Sequence, residues 1–422
     1  MKIAMFTDTF LPQTNGVVTA INNTLEALCK VHNIWLFIPG KKSFKIEKKS
    51  KNLFIVKIPS YQFYQYKGYR IPTFQLKQIS RIIQKEKFDI IHIHTPFTLG
   101  LVGIAMSRLY SIPIVGTYHT YLPEYFPHIT KGRFYRVMRR IGDLPTKNFT
   151  KYIYSKLDYV IAPSHETGRI LKTLGIKNVT VIPNGIKVEN LKLKNNFIEN
   201  IKKKYKIPKQ RKILLYLGRI SFEKKLSILL QASKILENED EKLFLLIVGS
   251  GPSIKKYKNE AKKLKIKNIR FTGFVKNGLI PDIYKASDIF VSPSDTEVCP
   301  MTFIEAMACG LPLIGVNSGG VKDIIQNRKN GLLAKANDPV SLAFKIKTLI
   351  DNEKLLKKMS IMNRNLYFKE YSIKNTTKKL MNLYKKTKKT NKKLHPIFKM
   401  LNFFLYPELT KNKIYKKFNN FV

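Results

Sequence analysis

The stretch that most constrains this chain runs from Asp288 to Gly310. A short apolar run, Ile289-Phe290-Val291, gives way to the polar loop Ser292-Pro293-Ser294-Asp295-Thr296-Glu297 and then to a segment that opens as a helix near Pro300 and is stopped by Gly310. A strand, a loop and a helix in that order specify a parallel β-α unit, and open α/β sheets bind ligands outside the carboxyl ends of their strands. Glu297 falls in the loop and Glu305 a turn inside the helix. Helical side chains tilt toward the N-terminus, so both carboxylates can face one crevice. Free amides around Val298, Cys299 and Phe303 would add partial positive charge there for an anion. Glutamates near a helix start also serve as dipole partners, and the pair alone leaves both readings open.

The same alternation continues through the chain. Ile3-Ala4-Met5-Phe6 reads as a strand and 17–29 as a helix with Val18, Ile21, Leu25 and Leu28 at helical spacing. Asn15-Gly16 stands at that helix start, where backbone can approach a phosphate or simply turn. Two later strands end in histidine, at His92 and His94 and at His119, and satisfied structural histidines are the simpler reading of the first two. At 422 residues the chain exceeds one ordinary core and suits two α/β domains of roughly 150 to 200 residues each. The expected division is 1–186 for the first domain, 187–212 as a polar connection and 213–366 for the second. A helix over 367–384 would cross back to the first domain, and 385–422 would form a basic aromatic tail.

Around Glu297 and Glu305 stand Ala306-Met307-Ala308-Cys309-Gly310-Leu311-Pro312, the element Gly218-Arg219-Ile220-Ser221-Phe222-Glu223-Lys224, the turn Gly249-Ser250-Gly251-Pro252 and the run Ile269-Arg270-Phe271-Thr272-Gly273-Phe274. Together they resemble glycosyltransferase family 4, the retaining nucleotide-sugar enzymes of GT-B fold. The likeness spans about residues 1–382 and is strongest from 213 to 333. It implies an α/β fold of two Rossmann-like, doubly wound parallel-sheet domains facing a cleft, with the nucleotide held mainly by the second. It places Glu297 on the donor sugar, Glu305 on the ribose, and Arg219 and Lys224 on the donor diphosphate. Gly16, Gly249, Gly251, Phe274, Val298 and Cys299 complete the implied donor site, and His119 reaches the sugar. The catalytic set is then His119, Glu297, Arg219 and Lys224, with no metal or other cofactor and with retention by same-face attack assisted by the leaving phosphate. The chemistry suits these cations, because a departing nucleoside diphosphate gains charge that fixed cations stabilise most in the transition state. Arginine adds a two-pronged fork that lysine lacks. Two departures stand out: Pro300 where the family has a glycine, which removes an amide and weakens Val298 and Cys299, and Lys225 where another glycine is usual.

The charge is extreme: 77 basic residues against 28 acidic, a net of +49. Such a chain expects a polyanionic partner, either nucleic acid or anionic lipid. No nucleic-acid module is recognisable, so nucleic acid is not expected. Cations interleave with aromatics at Tyr64, Tyr66, Lys67 and Arg70, at Arg133, Arg136, Arg139 and Arg140, and in the tail at Lys392, Lys393, Phe403 and Phe404, a pattern that suits phospholipid headgroups. Ordinary amphipathic packing and solvated charge runs are the plainer alternatives. The start of the chain lacks a signal-like apolar region, no run approaches the ~20 apolar residues of a spanning helix, and Cys29, Cys299 and Cys309 suit reduced thiols. A peripheral protein at the cytoplasmic face of the cell membrane is therefore expected. Within the family, this character is similar to bacterial monoglycosyldiacylglycerol synthases, which implies transfer of glucose or galactose from a UDP-sugar to diacylglycerol. Phosphatidylinositol or cell-wall acceptors, a sugar-nucleotide epimerase and a basic nucleic-acid-binding protein are the alternatives.

Overall fold

Among the described residues, ten strands belong to the first half of the chain, and most of them are short apolar runs. They are β1 (Lys2–Phe6), β2 (Asn33–Pro39), β3 (Lys45–Ser50), β4 (Leu53–Ile58), β5 (Ser60–Gln62), β6 (Arg70–Pro72), β7 (Ile90–Ile93), β8 (Ile114–Thr117), β9 (Tyr159–Ala162) and β10 (Val179–Val181). Here the computed structural model describes residues 1–13, 15–62, 69–119, 143–187, 197–239 and 242–387. Eight of the strands make one sheet in the order β10-β9-β8-β7-β1-β2-β4-β3, while β5 and β6 pair as a separate antiparallel ribbon. Every neighbour in the large sheet is parallel except β3 on β4.

Alternate residues of β1 serve opposite faces, as strand geometry requires. Ile3 and Met5 pack with Val18, Ile21 and Leu25 of the helix Gly16–Leu28, whereas Ala4 and Phe6 pack with Ile79, Ile83, Leu99 and Val102. Both faces are covered, which is why these strands read as continuous apolar runs. Leu380, Leu383 and Tyr384, from the helix Ile373–Lys386, join the face of Ile3 and Met5.

The second sheet comprises β11 (Lys212–Leu217), β12 (Leu243–Val248), β13 (Ile269–Gly273), β14 (Ile289–Val291), β15 (Leu313–Val316) and β16 (Gly331–Ala334), all parallel, in the order β13-β12-β11-β14-β15-β16. This is the doubly wound order 3-2-1-4-5-6, and β4-β2-β1-β7-β8-β9 repeats it in the first sheet. The winding therefore reverses between β11 and β14 in one unit and between β1 and β7 in the other.

Contacts divide the chain into a unit of Met1–Pro163, Gly168–Ile182 and the chain from Thr377, and a unit of Ser164–Thr167 and Pro183–Thr376. The boundary thus falls earlier than 186, because Asn184, Gly185 and Ile186 pack within the second unit, where Ile186 N–H donates to Tyr371 O at 3.1 Å. Ser164–Thr167 belongs there too, with Glu166 N–H donating to Asp323 Oδ2 at 2.8 Å. The expected connection 187–212 is more than a linker, since it holds the helix Phe197–Tyr205 with Ile201 and Tyr205 buried against the helix Ile280–Ala286. Among the described residues no helix is long and apolar enough to cross a membrane.

Candidate active site

At the reversal point of the second sheet, β11 delivers Gly218 and Arg219 while its neighbour β14 delivers the loop 292–300. A short 3-10 turn, Phe222–Lys224, then presents Lys224, whose Nζ donates to Glu297 Oε1 at 2.6 Å. Both side chains are partly open to solvent, at 24% and 16% of their surface. Lys225 follows with φ +51°, the left-handed region where glycine costs least, which accounts for the glycine usual at this place. The lysine fits because its Nζ bonds the Asp295 carboxylate and, at 2.8 Å, Asn337 Oδ1. Arg219 is exposed, and its carbonyl accepts from the buried Tyr216 hydroxyl at 3.1 Å.

The loop carrying Glu297 is clamped by backbone. Ser318 Oγ donates to Asp295 O at 2.8 Å, and Gly320 N–H donates to Glu297 O at 2.6 Å. A Cβ on Gly320 would stand 2.1 Å from Val298 O, so only glycine lets the two loops approach this closely. Gly249 holds the neighbouring turn in the same way, since its Cβ would stand 1.9 Å from Gly218 O. Gly249 and Gly251 therefore shape the Arg219 loop through close backbone packing.

Glu305 lies on the helix Met301–Ala308, which starts immediately after Pro300. Its Oε2 accepts from the Tyr284 hydroxyl at 2.8 Å, and burial pushes its carboxyl up to about 7, against the lowering effect of that bond. Val298 and Cys299 are half-buried, and burial raises the Cys299 thiol to about 12 despite hydrogen bonding from Asn184. Phe274, one residue past β13, is 67% exposed.

The reversal point of the first sheet has different contents. Asp8, two residues past β1, accepts from Thr95 Oγ1 at 2.6 Å and from Leu99 N–H at 3.0 Å, and burial raises its carboxyl to about 6. On β7, His92 is bonded through Nδ1 to the Tyr384 hydroxyl at 2.6 Å and through Nε2 to Thr117 Oγ1 at 2.8 Å. His94 Nδ1 is 3.1 Å from Nε2 of the partly buried His119. Burial, with mutual repulsion among the rings, lowers His92 to about 3 and holds His94 well below its usual value; burial alone lowers His119 to about 4. Gly16 opens the helix Gly16–Leu28 behind Asn15, whose side chain accepts from Val18 N–H at 2.9 Å.

The structure thus joins Lys224 to Glu297 directly, holds Glu305 through Tyr284 and joins His119 to His94. Arg70 donates through its guanidinium to Ser60, so in this structure it fastens the β5–β6 ribbon. Tyr64, Tyr66, Lys67, Arg133, Arg136, Arg139, Arg140, Lys392, Lys393, Phe403 and Phe404 lie outside the described residues. Sequence reasoning missed Tyr284, Asp295 and Asp8 as parts of these sites. For Asp8 and Asp295 the available signal was a polar residue just beyond a strand end, whereas Tyr284 carried none.

Comparison with known proteins fits this geometry. Residues 14–190 match the model described as Glycosyltransferase Family 4, and residues 197–366 match that of Glycosyl transferases group 1. The chain is 32% identical to an alpha-monoglucosyldiacylglycerol synthase of Streptococcus pneumoniae over 339 residues, covering 79% of this chain and 75% of that protein. It is 28% identical to a protein of the same name from Acholeplasma laidlawii, covering 93% of this chain and all of that protein. In fold it is similar to the crystal structure of Anabaena HepE in complex with UDP and glucose, with a TM-score of 0.71 at 17% identity over 91% of this chain and 99% of that one. The paired doubly wound sheets and these likenesses lead to one conclusion: the chain belongs to glycosyltransferase family 4, the nucleotide-sugar-dependent hexosyltransferases of GT-B fold.

Proposed function

We propose that this protein transfers a hexose, glucose or galactose, from a UDP-sugar to diacylglycerol at the cytoplasmic surface of an anionic membrane, with retention of anomeric configuration. The observation that carries the donor half is the contact between Lys224 and Glu297 at the reversal point of the second sheet, with Arg219 on the adjoining loop. Lys224 and Arg219 meet the diphosphate, whose charge grows as the glycosidic bond breaks, and no metal is needed for that neutralisation. Glu297, oriented by the Lys224 ion pair and by the Gly320 clamp, receives the sugar hydroxyls, while Glu305 accepts from the ribose. His119 donates to a hydroxyl of the sugar. Attack by the acceptor hydroxyl on the face the phosphate leaves, with that phosphate taking the proton, balances the transfer without a protein nucleophile.

The acceptor half rests on the names borne by the two relatives and on a net charge of +49 that suits an anionic leaflet. Incubation with vesicles of diacylglycerol and phosphatidylglycerol, with labelled UDP-glucose or UDP-galactose and excess EDTA, tests the whole reading. A monoglycosyldiacylglycerol identified by mass spectrometry is the expected product. Absence of any glycolipid with either donor, alongside transfer to a soluble acceptor, contradicts the lipid assignment. Loss of all activity in EDTA contradicts the metal-free one.

A further inference from the structure

Three histidines of the first unit form a connected group, and only one of them has a place in the reading above. His92 and His94 are two apart near the end of β7, so their rings share a face, with centroids 4.0 Å apart. His92 is fixed at both nitrogens by Tyr384 and Thr117. It therefore stands as a rigid wall behind His94. In front of His94, the His119 ring stacks at 5.4 Å between centroids and meets it through the 3.1 Å contact of His94 Nδ1 with His119 Nε2. The remaining nitrogen of His94, Nε2, is buried and has no partner among the described residues.

These contacts decide where the protons sit. One proton lies between His94 Nδ1 and His119 Nε2, and burial keeps both rings neutral. Were that proton on His119, the neutral His94 ring would carry its own hydrogen on Nε2, a buried N–H with no acceptor among the described residues. Orphaned N–H donors are rarer in proteins than under-satisfied acceptors. The arrangement with His94 donating is therefore preferred, and the hydrogen of His119 is left on Nδ1.

We propose that His94 is the positioning residue of His119: it donates from Nδ1 to His119 Nε2, fixes that ring and makes His119 a neutral Nδ1–H donor toward an oxygen of the transferred hexose. This rests on the glycosyl-transfer reading for the identity of the ligand oxygen, while the tautomer itself does not. The Tyr384–His92–Thr117 bonds hold the wall against which His94 is set.

The test uses full-length protein labelled with 15N-histidine, together with transfer kinetics. In the wild type at pH 7, the His119 resonances should report hydrogen on Nδ1 and none on Nε2. His94→Asn places an amide near the position of Nδ1 and should keep both that signature and most of the turnover. His94→Gln, whose amide falls near Nε2, should lose the signature and at least tenfold in kcat, with UDP affinity within twofold of wild type. Trp35 fluorescence checks that each variant is folded. Hydrogen on Nε2 of wild-type His119 overturns the proposal whatever the substrate proves to be. Equal kcat and equal His119 spectra in the Asn and Gln variants overturn it as well. If the wild type makes no glycosylated product, the failure lies with the functional reading, and the tautomer result still decides this one.

Discussion

Between β1 and β7 the strands lead into Asp8, His94 and Thr95, all buried, whereas between β11 and β14 they lead into Arg219, Lys224, Asp295 and Glu297, charged groups that keep contact with solvent. The strand order around the two points is the same. What differs is how deeply the groups they carry are buried. Burial drives the first set toward neutrality, with Asp8 raised and His92 and His119 lowered. The second set instead pairs lysine with carboxylate at the edge of solvent. Topology thus fixes where a ligand could meet the sheet, while desolvation fixes whether shape or charge is offered to it. A nucleoside diphosphate asks for charge, and a sugar hydroxyl asks for a fixed neutral hydrogen-bonding group.

The contrast can be broken most severely at Lys224. Lys224→Ala leaves Glu297 without its ion pair and, in the proposed donor site, removes a cation from the developing phosphate charge, so kcat should fall on the order of 100-fold or more. A change under fivefold in steady-state transfer would mean that this cluster is not the charged end of the reaction.

Acid should act next, and on the first unit. His92 and His119 have folded values of about 3 and 4, below the ordinary 6.5, so the unfolded chain takes up protons first and stability present above pH 6.5 is lost as pH falls. Asp8, raised to about 6, works in the opposite direction over part of that range. The balance favours the histidines, and the unit should lose on the order of 2 kcal/mol between pH 7 and 5. The single tryptophan, Trp35, is buried in this unit, so urea melts followed by its fluorescence report it selectively. An unchanged or higher midpoint at pH 5 would show that the histidines are not held neutral.

Glu305 is the counter-case, an acid of the second unit whose carboxyl is raised by burial. Its carboxyl is raised to about 7, and protonation turns one of the acceptor positions proposed for the ribose hydroxyls into a donor. UDP affinity should therefore rise with pH through about 7. Glu305→Gln should bind UDP about tenfold more weakly and with a flat profile. A pH-dependent affinity that survives the substitution would move the titration to another group.

The smallest effect is expected at Lys225. Lys225→Gly relieves a left-handed conformation worth about 1 kcal/mol and loses the contacts to Asp295 and Asn337, so the two changes nearly cancel. UDP affinity should stay within about threefold of wild type. A larger loss would make the Lys225–Asp295 pair part of the donor grip.

Much of this was legible in the sequence, and for a physical reason. Strands covered on both faces must be apolar throughout, so β1, β2, β11, β12 and β14 announce themselves. The edge strand β3 does not, since Lys45–Ser50 stays exposed apart from half-buried Glu47 and its lysines shield an open edge. In the helix Phe197–Tyr205, three lysines hide a stripe at four-residue spacing, Phe197, Ile201 and Tyr205. Glu297, Lys224 and Arg219 could be singled out because they stand in loops that follow strands and because those loops resemble the family's elements. Their partners could not. Lys224 and Glu297 are 73 residues apart in sequence and Tyr284 reaches Glu305 across 21, distances that only the fold resolves.

The charged reversal point of the second sheet is the proposed seat of the donor nucleotide. Calorimetric titration of UDP into the wild type, the double variant Arg219→Ala/Lys224→Ala and His119→Ala tests it directly. Loss of at least about 100-fold in affinity for the double variant, with His119→Ala within twofold of wild type, is the predicted result. Undiminished UDP binding by the double variant, or abolition of binding by His119→Ala, would contradict it.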